Sequence, residues 1–142
     1  MTRIDFYILQ DTGNAAAPLF TCRLAEKAFH QGHEVYINTE SAAQLQQLDD
    51  LLWTFRAGSF VPHGACNDSD ACQPPVLLGH DTEPRDSHDV LVNLSGKVPP
   101  FFGRFNRVAE LVSGDEVQRS RGRERYRFYM DRGYTLTTHR IS

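Results

Sequence analysis

The chain alternates short apolar, β-prone runs with stretches that carry their apolar residues at helical spacing. Ile4-Asp5-Phe6-Tyr7-Ile8-Leu9 runs into the turn-rich Asp11-Thr12-Gly13-Asn14, which predicts a first buried strand. Pro18 suits a first helical turn, and Phe20, Leu24, Ala28 with Ala25 and Phe29 recur at steps of three and four before Gly32, so a helix follows and stops there. Glu34 to Asn38 reads as strand two. Ser41 and Gln44 have the spacing of a capping box, and Leu45, Leu48, Leu51, Leu52 and Phe55 form the apolar stripe of a second helix that fades before Gly58.

The middle of the chain changes character. Residues 64 to 75 and 79 to 88 are rich in Gly, Asp, Ser and Pro around the brief Val76-Leu77-Leu78, which predicts a loop-dominated excursion with at most one short strand. Regular pattern returns with a buried-type strand over Asp89 to Leu94, a short helical turn opened by Pro99-Pro100, and a strand over Arg107 to Val112. Ser113 and Glu116 have capping-box spacing, Asp115 and Glu116 complement the positive end of a last helix, and Gly133 supplies its terminator. Tyr134 to His139 is the final strand. Strands alternating with helices, the strands almost wholly apolar, predict a three-layer α/β/α arrangement around a mostly parallel central sheet covered on both faces, Rossmann-like in class.

Composition narrows the function more than the fold. The 142 residues, 40% hydrophobic, suffice for one domain over residues 1 to 142 with its own core. No apolar run is long enough to span a membrane and no secretory leader is legible, so a cytoplasmic location is expected. Cys22, Cys66 and Cys72 are odd in number without CxxC spacing, which fits ordinary thiols in a reducing compartment. The net charge of -3 hides an asymmetry: residues 1 to 100 carry 6 basic and 13 acidic side chains, residues 101 to 142 carry 9 and 5. Of the 15 basic residues 13 are arginine, whose planar fork suits bidentate capture of carboxylate or phosphate. An anionic partner is implied.

Enzyme signatures are weak throughout. Ser95-Gly96-Lys97 is the one phosphate-loop fragment, and Leu91 stands where the opening glycine belongs. Gly13 alone in the first βα turn gives no GxGxxG, so the fold class comes without its nucleotide motifs. His88 and Asp89 beside a strand, or Asp5 and Asp11 near strand ends, could suggest acid-base or magnesium chemistry, yet no set of nucleophile, base and orienting group is legible. His63, Cys66 and Cys72 have irregular spacing and lack a fourth zinc ligand. The expectation is no catalysis, no metal and no cofactor.

The last helix carries the strongest signal. Arg119, Arg123 and Arg127, four apart, line one helical face with Tyr126 and Met130 beside them. Between positions 119 and 132 six arginines face two acids, Glu124 and Asp131, and their repulsion costs stability unless an anion offsets it. A solvated charged face is the plain alternative. Trp53, Phe55 and Phe60 around the end of helix two form a second feature, fit either for the core or for a partner's pocket.

These residues together resemble the chi subunit family of bacterial DNA polymerase III. The resemblance runs through Phe6-Tyr7-Ile8-Leu9, Leu52-Trp53 followed by Ser59-Phe60-Val61-Pro62-His63, the Pro75-Val76 strand entry, Asp89 to Leu94, and Arg123-Glu124-Arg125-Tyr126-Arg127 with Tyr129 and Gly133-Tyr134. The segment from Gly64 to His88 departs from it, and Met130 stands where many relatives carry a basic residue. The resemblance implies a non-catalytic accessory subunit of the replicase that bridges the clamp loader, through the psi subunit, to single-stranded-DNA-binding protein, touching DNA only indirectly. It implies docking of that protein's acidic C-terminal tail on Arg123, Tyr126 and Arg127, with Arg119 and Val112 as neighbours. It implies a psi contact at Phe60, with Trp53 beside it. The competing readings are direct binding of single-stranded nucleic acid by the arginine helix, with Tyr126 and Tyr129 stacking on bases, and a small nucleotide-using enzyme supported by fold analogy alone.

Overall fold

The computed structural model describes residues 2–10, 13, 15–65, 74–80, 82–84 and 89–141. In chain order the elements are β1 (Arg3–Leu9), α1 (Ala16–His30), β2 (Val35–Asn38), α2 (Ala42–Thr54), β3 (His63–Ala65), β4 (Val76–Gly79), β5 (Val90–Asn93), a 3-10 turn (Phe102–Arg104), β6 (Arg107–Val112), α3 (Glu116–Asp131) and β7 (Leu136–Ile141). All seven strands are parallel and lie in one sheet in the order β3-β4-β2-β5-β6-β1-β7.

Strict alternation along each strand assigns side chains to the two faces. Tyr7, Leu9, Val35, Ile37, Val76, Leu78, Val90, Val92, Ala109 and Leu111 point to the face covered by α1 and α2. Ile4, Phe6, Tyr36, Leu77, Leu91, Val108 and Val112 point to the other face, under α3 and the aromatic segment Phe101 to Phe105. The layers are those expected from the sequence.

Several local expectations change. Among the described residues the middle of the chain holds two short strands, not one: the three-residue β3, which contains Gly64, pairs with β4, and a segment that short has no apolar pattern to read. The cap of α3 is Asp115, whose carboxylate accepts from the Gln118 amide at 2.9 Å, so Ser113 lies outside the helix. At α2, Ser41 Oγ accepts from the Gln44 amide as expected, while the Gln44 side chain returns to the Glu40 amide instead of that of Ser41. Gly32 and Gly133 follow α1 and α3 with φ of 84° and 81°, the left-handed turn that ends a helix at little cost only for glycine.

One carboxylate interrupts the apolar packing under α3. Glu110, in the middle of β6, is fully buried. Its Oε1 accepts from Arg125 Nε at 2.8 Å and its Oε2 from the Tyr129 hydroxyl at 2.6 Å, both on α3. Asn93 Nδ2 on β5 donates to both oxygens, at 2.9 and 3.0 Å, and Asn38 Nδ2 on β2 donates to Asn93 Oδ1 at 3.1 Å. Burial pushes the Glu110 carboxyl above its ordinary range, against the pull of Arg125, Tyr129 and Asn93 toward the charged form. A chain of polar groups therefore ties three strands to the helix.

Removing one partner would strand a buried charge. Glu110→Ala or Arg125→Ala should each lower unfolding free energy by about 3–5 kcal/mol, read from the midpoint of urea denaturation. The double variant should cost clearly less than the sum of the two singles, and simple additivity would contradict the coupling.

Candidate functional site

Between α3 and β7 the sheet is left partly uncovered. Register places Val112 of β6, Ile8 of β1 and Arg140 of β7 side by side in one row, and Glu110, Phe6 and Thr138 in the row before it. Phe6, Ile8, Val112 and Thr138 floor a groove of about 340 Å³. Gly122 lets α3 approach closely here, since a Cβ at that position would sit 2.9 Å from Val112 Cγ2. Tyr126 closes the floor with its ring 5.4 Å from that of Phe6.

The α3 wall is cationic. Arg119 and Arg123 line the groove with Gly122 and Tyr126. Among the described residues Arg123 pairs with the exposed Glu116, at 3.2 Å, a pairing worth little in water. Arg119 Nε is buried and has no hydrogen-bond partner, an unusual state for a charged donor. The groove thus combines an apolar floor with guanidinium groups that have spare hydrogen-bonding capacity.

Of the residues predicted for the acidic tail, Val112, Arg119, Arg123 and Tyr126 come together in this groove. Arg127 is exposed on α3 outside the lining, and Met130, also exposed, does not join it. The arginine excess is smaller than its count. Arg125 is buried against Glu110, Arg132 lies over the Phe128 ring at 3.5 Å, and Arg123 has Glu116. Tyr129 is fully buried and donates to Glu110, so it cannot stack on a base as the nucleic-acid reading requires.

A second surface lies elsewhere. Trp53 and Phe60 are 56% and 63% exposed with ring centroids 5.9 Å apart, while Phe55 packs against the core. The loop beneath them is pinned: Arg56 and Ser59 both engage the buried Glu26 of α1. His63, whose ring lies 4.6 Å from that of Trp53, sets its two ring nitrogens 2.7 and 3.1 Å from the carbonyl oxygens of Val61 and Asp49. Two exposed aromatics are held on a fixed base.

The other chemistry-bearing residues are engaged structurally. Asp5, fully buried, accepts from Arg107 Nε at 2.8 Å, with His139 Nε2 at 3.1 Å and Arg3 at 3.4 Å. Burial disfavours the Arg107 charge, but its bonds to Asp5 win and push its pKa up. That carboxylate is engaged by cationic side chains of the protein itself. Around Ser95-Gly96-Lys97, the Ser95 amide donates to Asn93 Oδ1 at 3.2 Å and the Lys97 amide to Ser95 Oγ at 3.4 Å, so these two amides are turned away from any phosphate. Asp89 accepts from the Glu34 amide at 2.8 Å. Cys22 is buried, its thiol pushed up to about 12 by burial. Asp11, Cys66, Cys72 and His88 lie outside the described residues, and among the described residues no group of three or more His, Cys, Asp or Glu is placed to hold a metal ion.

Sequence reasoning missed the floor and the far wall. Ile8 and Phe6 were legible as core, but not as groove. Arg140 fell beyond the strand predicted to end at His139, whereas β7 runs to Ile141. Only the pairing of β7 with β1, a contact across more than 130 positions, brings Arg140 opposite α3.

The comparisons with known proteins agree with one another. A family model described as DNA polymerase III chi subunit, HolC, matches residues 1–137. The DNA polymerase III subunit chi of Pseudomonas aeruginosa is 40% identical over 141 residues, covering 99% of this chain and 98% of that one. The Haemophilus influenzae and Escherichia coli K12 subunits chi are each 30% identical, covering 96% and 97% of this chain and the same shares of theirs. Among solved structures, the crystal structure of T4 UvsW superposes with a TM-score of 0.70 at 10% identity, covering 99% of this chain and 42% of that one, a likeness of fold alone. A family model across residues 1–137 and relatives at 30–40% identity over nearly their whole length place the chain in one family: it belongs to the DNA polymerase III chi subunits, accessory subunits of the bacterial replicase.

Proposed function

We propose that the protein is a non-catalytic adaptor, which holds the acidic C-terminal tail of single-stranded-DNA-binding protein in the groove beside α3 and the psi subunit on the Trp53–Phe60 surface. The observation that carries the reading is the groove: an apolar floor at Val112, Ile8 and Phe6 beneath Arg119 and Arg123, with Arg119 Nε buried and unpartnered. A tail that ends in acids, a hydrophobic side chain and a free carboxylate matches it part by part. The arginine fork takes the carboxylate, the remaining positive charge takes the acids, and the floor takes the side chain.

The placement of the second surface supports a bridging role. The groove opens at β7, and Phe60 leads into β3; these are the two edges of the sheet. At about 4.8 Å between strands the edges stand roughly 30 Å apart. The two surfaces also lie on opposite faces, under α3 and beside α2. Both partners can therefore be held at once without competing for space. Phe60, exposed on a pinned loop, has the character of an aromatic anchor, with Trp53 as its neighbour.

Fluorescence anisotropy tests the first half of the reading. A labelled acidic peptide ending in Ile-Pro-Phe should bind the wild-type protein, more weakly at higher salt, while its amidated copy and a single-stranded oligonucleotide should not. Arg123→Ala should weaken the peptide by at least about ten-fold. Binding of the oligonucleotide alone would replace the adaptor by a nucleic-acid-binding protein. For the second half, Phe60→Ala should abolish co-elution with purified psi while leaving peptide affinity unchanged; loss of both together would contradict two independent surfaces.

A further inference from the structure

The groove has a second wall that the proposed tail contacts do not use. Arg140 lies in the same row as Ile8 and Val112 but on the edge strand β7, across the floor from α3. It is exposed, and among the described residues it pairs with no carboxylate. Edge strands often carry exposed charge to discourage pairing with other chains, but that purpose is served by a side chain on either face. Alternation instead turns Arg140 to the groove side, two positions beyond Thr138, which lines the same floor.

We infer that Arg140 is a specificity-determining residue of the groove, which pairs with an acidic side chain of the bound tail while the arginines of α3 hold its terminal carboxylate. The assignment rests on the tail-binding reading above. Arg119, with its buried Nε, and Arg123 form the inner wall, where a chain end seated on the apolar floor would place its carboxylate. Arg140 stands on the open side, past which the preceding residues must leave toward solvent. A guanidinium on each side of a narrow apolar floor reads two negative groups at a fixed separation, which distinguishes an acidic tail from any free C-terminus.

A peptide cycle tests it, using the full chain with wild type, Arg140→Gln and Arg140→Glu, against the acidic peptide and a copy whose acids are replaced by serine or asparagine. Because Arg140 is exposed, neither variant should shift the thermal unfolding midpoint. Arg140→Gln should weaken the acidic peptide by about three- to ten-fold and leave the neutralised peptide unchanged, while Arg140→Glu should weaken the acidic peptide by more, and by more than it weakens the neutralised one. Unaltered affinity for the acidic peptide, or an equal loss for both peptides, would overturn the assignment. If the wild-type protein fails to bind the acidic peptide, the tail-binding reading falls and takes this one with it, an outcome distinct from binding that is indifferent to Arg140.

Discussion

The Glu110 carboxylate sits at the middle of a largely apolar sheet face, and the position of α3 follows from how that carboxylate is met. Arg125 and Tyr129, one helical turn apart, reach down to it from α3, while Asn93 and then Asn38 approach from the neighbouring strands. A buried pair of this kind adds little net stability over an apolar replacement, but it penalises any other placement of the helix, because sliding α3 would leave both charges unpaired. Together with the close contact of Gly122 on Val112, it fixes which side of α3 faces the sheet. Arg119, Arg123 and Tyr126 are then turned toward the uncovered floor. The groove is a consequence of that constraint.

The same division of labour explains the arginines. In sequence they form one run; in the fold they serve different ends. Arg125 is structural, Arg132 lies on Phe128, and Arg119 and Arg123 face the groove. Helical periodicity located the row of Arg119, Arg123 and Arg127, and Val112 joined it through the family resemblance, because both signals are local or motif-borne. What periodicity could not supply was the contact that sorts the row. Glu110 reads as one polar residue in an apolar strand, with no local sign of a partner 15 positions away, and Arg140 becomes relevant only through the pairing of the last strand with the first.

The layered α/β class was legible for a similar reason. Nearly uninterrupted apolar runs at β1, β2, β5 and β6 can exist only in strands covered on both faces. The three-residue β3 left no such mark, and neither did the cap at Asp115, where three capping-type residues stand within a few positions. Around Trp53 and Phe60 the composition admitted both core and surface. The fold decides it: Trp53 lies on the exposed side of α2, and the contacts of Arg56 and Ser59 with Glu26 hold the loop that presents Phe60.

An acidic tail docked in the groove would perturb the backbone amides that line it. The most direct measurement is an amide chemical-shift map of the isotopically labelled protein titrated with the free-carboxylate peptide. Saturable shifts should centre on Ile8, Val112, Gly122, Tyr126 and Thr138, leaving the amides around Trp53 and Phe60 unmoved. Shifts centred on Trp53 and Phe60, or scattered over exposed arginines without saturation, would contradict the groove as the site.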